Sequence, residues 1–192
     1  MPERPLTEEE GRYLVNLARR TLQAELGVPA LALEEPPDPE RVRQPGAAFV
    51  TLHTRGGALR GCIGSLIARR ALIEDVEANA LAAALEDPRF PPLTSDELPN
   101  VLVEVSVLSK PEPLHYATAS ELVQSLRPGV DGVVIERGWH RATFLPQVWE
   151  QLSLPEDFLA HLCYKAGLPS LAWREGDLKV SIYQVQEFHE TR

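Results

Sequence analysis

Residues 47–54, AAFVTLHT, and residues 59–65, LRGCIGS, are separated by Arg55-Gly56-Gly57-Ala58. Two apolar runs around a glycine pair read as a hairpin, because glycine supplies the positive φ that a tight turn between twisted strands demands. A hairpin is antiparallel by construction, whereas parallel neighbours need a crossover of a dozen or more residues. A second signal of the same kind, GVVIERGWHRATFLP, turns near Gly138. Two hairpins exclude an all-parallel sheet. With separate helices they predict an α+β fold, a mainly antiparallel sheet carrying both hairpins and covered by helices.

The helices are legible from spacing. Thr7 followed by Glu10 is a capping-box pattern, after which Leu14, Leu17, Ala18, Thr21, Leu22 and Leu26 recur at helical intervals as far as Gly27. The run RALIEDVEANALAAALE, 70–86, predicts a second helix stopped by Pro88. SELVQSL, 120–126, predicts a short helix, and LPEDFLAHLCYKAGL after Ser153 a longer one, with Pro155 in its first turn and Gly167 at its end. VLVEVSVLS, 101–109, and LKVSIYQVQEF, 178–188, predict strands. Pro36, Pro37, Pro39 and Pro45 make Val28–Gly46 a long surface connection. A length of 192 residues fits a single domain, 1–192, with a larger and a smaller subdomain.

Composition sets the surroundings of that domain. No stretch approaches the roughly 20 apolar residues of a membrane span, and MPERPLTEEE lacks the basic-then-apolar pattern of a secretory signal, so a cytoplasmic protein with no membrane partner is expected. A net charge of −9 disfavours a phosphate-neutralising surface, and with it duplex nucleic acid as a partner. Trp139, Trp149 and Trp173 are too scattered for a base-stacking platform, which leaves RNA binding a minor hypothesis.

The chemistry centres on Cys62. Strict alternation along LRGCIGS puts Arg60, Cys62 and Gly64 on one face. An arginine beside a thiol favours the nucleophilic thiolate, while Gly61 and Gly64 leave room for close approach. The competing reading is packing, since free cysteine is among the most buried residue types and the glycines can admit a helix. His53, on the preceding strand, is a candidate base if the hairpin register places it across from Cys62. In EDPRFPPL three prolines stiffen a loop; Arg89 is its only cation and can assist Arg60 at an anion, while Phe90 is expected to be buried under the sheet. His161 and Cys163 stand two residues apart on a helix, roughly 200° around it, so they cannot chelate one ion, and Cys163 reads as core. No C-x-x-C or H-E-x-x-H pattern is present, and no metal is expected.

LRGCIGS, EDPRFPPL, ELPNVLVEVSVLS, ATFLPQVW and HLCYKAGLP occur in an order that resembles the AMMECR domain family, called AmmeMemoRadiSam system protein A in prokaryotes. The resemblance runs from about Leu14 to Val185. It implies an α+β protein of two subdomains with the RGCIG segment near the cleft between them. It also implies two partners, a radical S-adenosylmethionine protein and a Memo protein. S-adenosylmethionine and any iron–sulfur cluster would then be a partner's, since this chain lacks the three-cysteine cluster motif and is expected to carry no cofactor itself. Gln147 and Lys165 match family motif positions and join the candidates as second-rank binding residues, each also suited to securing a helix end. Two function classes follow: an enzyme or enzyme subunit holding a small anionic or carbonyl substrate near Cys62, and a non-catalytic interaction module presenting the same surface.

Overall fold

The computed structural model describes residues 4–30 and 32–190. In chain order its elements begin α1 (Glu8–Glu25), α2 (Pro39–Val42), β1 (Pro45–Thr54), β2 (Leu59–Gly64), β3 (Arg70–Ala71), α3 (Leu72–Leu85) and β4 (Val101–Leu108). They continue with β5 (Glu112–Leu114), α4 (Ala119–Ser125), β6 (Gly132–Arg137), β7 (His140–Phe144), α5 (Pro155–Lys165), β8 (Lys179–Tyr183) and β9 (Val185–His189). Helices beside antiparallel sheets make this an α+β fold. The chain forms two compact units, one joining residues up to Ser109 with those from Gln186 onward, the other spanning Lys110–Val185.

The first unit is built on a five-stranded sheet in the order β2-β1-β4-β9, with β3 paired to the start of β1. Alternation decides which side the helices cover. Ala48, Val50 and Leu52 of β1 lie opposite Val107, Val105 and Val103 of β4, and all six are buried with Leu14, Ala18 and Leu22 of α1 and Val76, Ala80 and Ala83 of α3. The start of α1 is the expected capping box: Thr7 Oγ1 accepts the Glu10 N–H at 3.2 Å, and Glu10 Oε2 accepts the Thr7 N–H at 2.6 Å. Glu10 is also gripped by Arg4, whose guanidinium holds that carboxyl down to about 2.

The second unit packs Leu122, Val133, Ile135, Phe158, Leu159 and Leu162 under a four-stranded sheet ordered β5-β8-β6-β7. Trp149 stacks on Phe158 with ring centroids 3.7 Å apart. The β6–β7 hairpin closes on Gly138-Trp139 between the paired Arg137 and His140, with Gly138 at φ +60. At the end of α5 the Leu168 N–H reaches the Cys163 carbonyl and the Gly167 N–H the Tyr164 carbonyl, with Gly167 at φ +75.

Three expectations are corrected. The hairpins occupy different sheets, β1–β2 in the first unit and β6–β7 in the second, because each sheet has its own apolar face to bury. The run 178–188 is two strands, broken at Gln184, whose side chain donates to buried Asp131. The Pro-rich connection contains one helical turn, α2, capped by the Asp38 carboxylate on the Arg41 N–H.

Candidate functional site

Cys62 sits on β2, the edge of the five-stranded sheet. Register places it directly opposite Thr51, with Gly64 opposite Phe49, on the face turned away from the helices. Gly61 lies opposite Leu52 on the helix side, and a Cβ there would stand 2.1 Å from the Ala83 carbonyl oxygen of α3. At Gly64 a Cβ would stand 2.2 Å from the Phe49 ring, which lies over the glycine. Both glycines therefore have packing reasons, one a helix backbone and the other an aromatic ring. Beyond Gly64, buried Asp75 accepts the Ala48 N–H at 2.9 Å and the Ser65 hydroxyl at 2.8 Å, which anchors that end of the hairpin to α3.

The thiol is held from two sides. Thr51 Oγ1 donates to Cys62 Sγ at 3.2 Å. On the outer edge the Cys62 N–H donates to Asp87 Oδ2 at 2.9 Å, and Arg89 Nη2 donates to the Cys62 carbonyl at 3.3 Å. With both main-chain groups turned outward, Cys62 and Thr51 form a non-hydrogen-bonded pair, the arrangement that brings cross-strand side chains closest. Asp87 is buried and doubly gripped, taking Arg89 Nε at 2.9 Å and Nη2 at 2.6 Å. Those bonds to Arg89 are the chief reason its carboxyl stays well below the usual carboxylate range, with the Cys62 N–H adding to them. Asp87 in turn raises the Arg89 guanidinium, and the nearby Cys62 contributes in the same direction. An edge strand otherwise presents open main-chain groups to a further strand; here the carboxylate–guanidinium pair occupies them.

Arg60 is placed elsewhere than strict alternation implies. Pairing passes from Leu52↔Gly61 to His53↔Leu59, so Arg60 is the extra residue of a bulge. Its guanidinium donates through Nε and Nη2 to Glu97, each at 3.2 Å, and through Nη2 to the Pro91 carbonyl at 3.0 Å. That ion pair lowers the Glu97 carboxyl. Arg89, not Arg60, is thus the arginine bonded to the Cys62 segment. Phe90 is only half-buried, with Arg60 5.9 Å and Arg89 5.5 Å from its ring centroid; Leu93, 3% exposed, is the apolar anchor of the loop. His53 faces Glu104 instead of the thiol, its Nε2 3.2 Å from Oε2.

Gln147 and Lys165 belong to the second unit. Gln147 is exposed on the 3-10 turn Pro146–Glu150. Lys165 Nζ donates to the Thr143 carbonyl of β7 at 3.0 Å and lies 4.9 Å from the Phe144 ring centroid, so it ties α5 to the sheet instead of capping its own helix. Cys163 is fully buried in the second core, where burial pushes its thiol up. Among the described residues no group of three His, Cys, Asp or Glu side chains is placed to hold a metal ion.

Thr51, Asp87, Glu104 and His189 were missed by sequence reasoning. Asp87 had a signal, since it stands two residues before Arg89 in EDPRFPPL. Thr51 required the register, and Glu104 and His189 required the strand order. His189 Nδ1 lies 3.4 Å from the same Glu104 oxygen that His53 faces.

The AMMECR1 family model matches residues 15–188. A protein of Methanothermobacter thermautotrophicus is 42% identical over 193 residues, covering 97% of each chain. One from Thermofilum pendens is 43% identical, covering 97% of this chain and 92% of its own. Among solved structures, the crystal structure of an uncharacterized protein from Pyrococcus horikoshii superposes with a TM-score of 0.78 at 36% identity, over 96% of this chain and 93% of that one. A family match across almost the whole length, on a shared fold, leaves one conclusion: the chain belongs to the AMMECR1 family.

Proposed function

We propose that this chain is a thiol-dependent cytoplasmic enzyme or enzyme subunit, working with a radical S-adenosylmethionine protein and a Memo protein, whose reactive group is Cys62. The observation that carries the reading is the setting of the thiol: Thr51 orients the sulfur while Asp87 and Arg89 hold the main chain on either side of it. A small anionic or carbonyl substrate is taken up at the LRGCIGS motif. Arg89, whose side chain is 53% exposed, supplies positive charge there. Addition of the Cys62 S–H across a carbonyl forms a C–S bond and moves the thiol proton to the oxygen, giving a hemithioacetal with no outside oxidant or reductant. The partners rest on the family resemblance alone, and S-adenosylmethionine and any iron–sulfur cluster belong to them.

One observation favours a second reading, a non-catalytic interaction module. Gly61 and Gly64 are explained by packing, and the Asp87–Arg89 pair by edge protection. Two measurements on one Cys62→Ser strain separate the readings. Capture of both partners by the tagged variant with loss of the cellular phenotype supports the enzyme. An unaltered phenotype sinks it, and a tagged wild type that repeatedly recovers neither partner removes the system assignment.

A further inference from the structure

A cavity of about 360 Å³ opens in the first unit between the end of β1, β4 and β9. Its volume lies within the range of small-ligand sites, roughly 300–1,000 Å³. Glu104 is its central charge, with His53 Nε2 at 3.2 Å and His189 Nδ1 at 3.4 Å from Oε2, and Ser106 donating to Oε1 at 3.3 Å. A neutral imidazole that donates one N–H to a carboxylate carries a lone pair on its other nitrogen. In the neutral form, His53 Nδ1 and His189 Nε2 would be left to accept. The other carboxylate in the lining, Glu190, is committed to Arg19 and to the Val103 N–H. Among the described residues no lysine or arginine lines the cavity, and Leu102 forms an apolar wall.

A pocket with a central carboxylate and an apolar side suits a ligand that donates hydrogen bonds and carries positive charge. We propose that this cavity binds a small organic cation, an ammonium or guanidinium group on a short aliphatic body, with Glu104 as its counter-ion and His53 and His189 positioning that carboxylate. Cys62 does not line the cavity, although Thr51 lies opposite both Cys62 and Glu104 on the same face of the sheet.

The test uses the whole chain with 1,4-diaminobutane as probe, 1,4-butanediol and succinate as neutral and anionic controls of similar length, and amide chemical shifts as readout. The diamine is expected to move the Gly57, Leu102 and Val103 signals saturably, and the controls to leave them in place. Glu104→Gln should weaken diamine binding at least tenfold, and His189→Ala severalfold. The His189 side chain is 61% exposed, so that second variant keeps its fold should Glu104→Gln lose it. Cys62→Ala should bind the diamine as wild type does, whatever becomes of the thiol chemistry. Equal binding of diol and diamine, or diamine affinity unmoved by Glu104→Gln or His189→Ala, overturns the proposal. So does Zn²⁺ binding one-to-one through His53 and His189 where the diamine does not bind.

Discussion

Gly61→Ala is the most exacting perturbation of the LRGCIGS segment, because what it meets is main chain. The added methyl would lie 2.1 Å from the Ala83 carbonyl oxygen, and real Cβ contacts do not fall below 3.0 Å, so α3 must retreat by at least about 0.9 Å, the difference of those two distances. A gap of 0.5–1 Å forfeits roughly a quarter to a half of each dispersion contact. The retreat loosens Val76, Ala80 and Ala83 against β1 and β2 together. Overpacking costs about 1–3 kcal/mol, and a rigid obstacle belongs at the upper end, about 3 kcal/mol, or roughly 6–12 °C in Tm for a chain of this size. The three tryptophans, 139, 149 and 173, all lie in the second unit, so fluorescence reports the wrong part of the molecule. Amide exchange of α3, β1 and β4 is the right assay, and exchange there should accelerate. Ala83→Gly should give no rescue, since the opposing atom is a backbone oxygen. At Gly64→Ala, by contrast, the opposing group is the Phe49 ring, so adding Phe49→Ala should relieve the clash. Protection of α3 unchanged within about 0.5 kcal/mol, the usual range of an inconsequential substitution, or rescue by Ala83→Gly, refutes the close-approach argument.

Three other outcomes are expected. Mild alkylation at neutral pH should label half-buried Cys62 before Cys163, which is fully buried with its thiol pushed up, as peptide mapping will show; Cys163→Ser should cost about 1–3 kcal/mol in urea unfolding for an unpaired buried hydroxyl. Asp87→Ala should lower the urea midpoint more than Arg89→Met, because Asp87 is buried and bonds Cys62 as well as Arg89, whose side chain is largely in solvent; equal losses contradict that ranking. Glu10 has a folded value depressed from 4.5 to about 2, so its stabilisation is complete above 4.5 and disappears as pH falls to about 2; urea midpoints of wild type and Glu10→Gln should converge across that window, and a constant gap contradicts the assignment.

Local rules carried the start of α1, the hairpin turns and the glycine stop of α5, because in each the signal and its partner lie within a few residues: Thr7 and Glu10, Gly56 and Gly57, Gly167 and the Tyr164 carbonyl. The thiol's surroundings were only half legible. Counting back symmetrically from the Gly56-Gly57 turn puts Thr51, not His53, across from Cys62, as observed; the bulge at Leu52/His53 lies nearer the turn, where it sends Arg60 to Glu97. Glu104 reads as one more polar residue in an alternating strand, and its two histidines come from β1 and β9, more than fifty residues away in one direction and eighty in the other. The strand 178–188 reads straight through Gln184, although the apolar alternation Leu178, Val180, Ile182 gives way there to Gln184 and Gln186 and the hydrogen-bonding partners change.

That change of partners gives the chain an order of assembly. Residues 110–185 are continuous, so the second unit has all its parts as soon as β8 has left the ribosome. The first unit does not: β4 stays without its β9 neighbour, and Arg19 without Glu190, until some eighty residues after β4 have been made. During that interval Val101–Leu108 is an apolar strand with one unpaired edge, the kind of template on which nascent chains add to one another. Translation speed across residues 110–185 therefore sets how long that edge is open, and slowing it should cost soluble yield even though no residue of the first unit is altered.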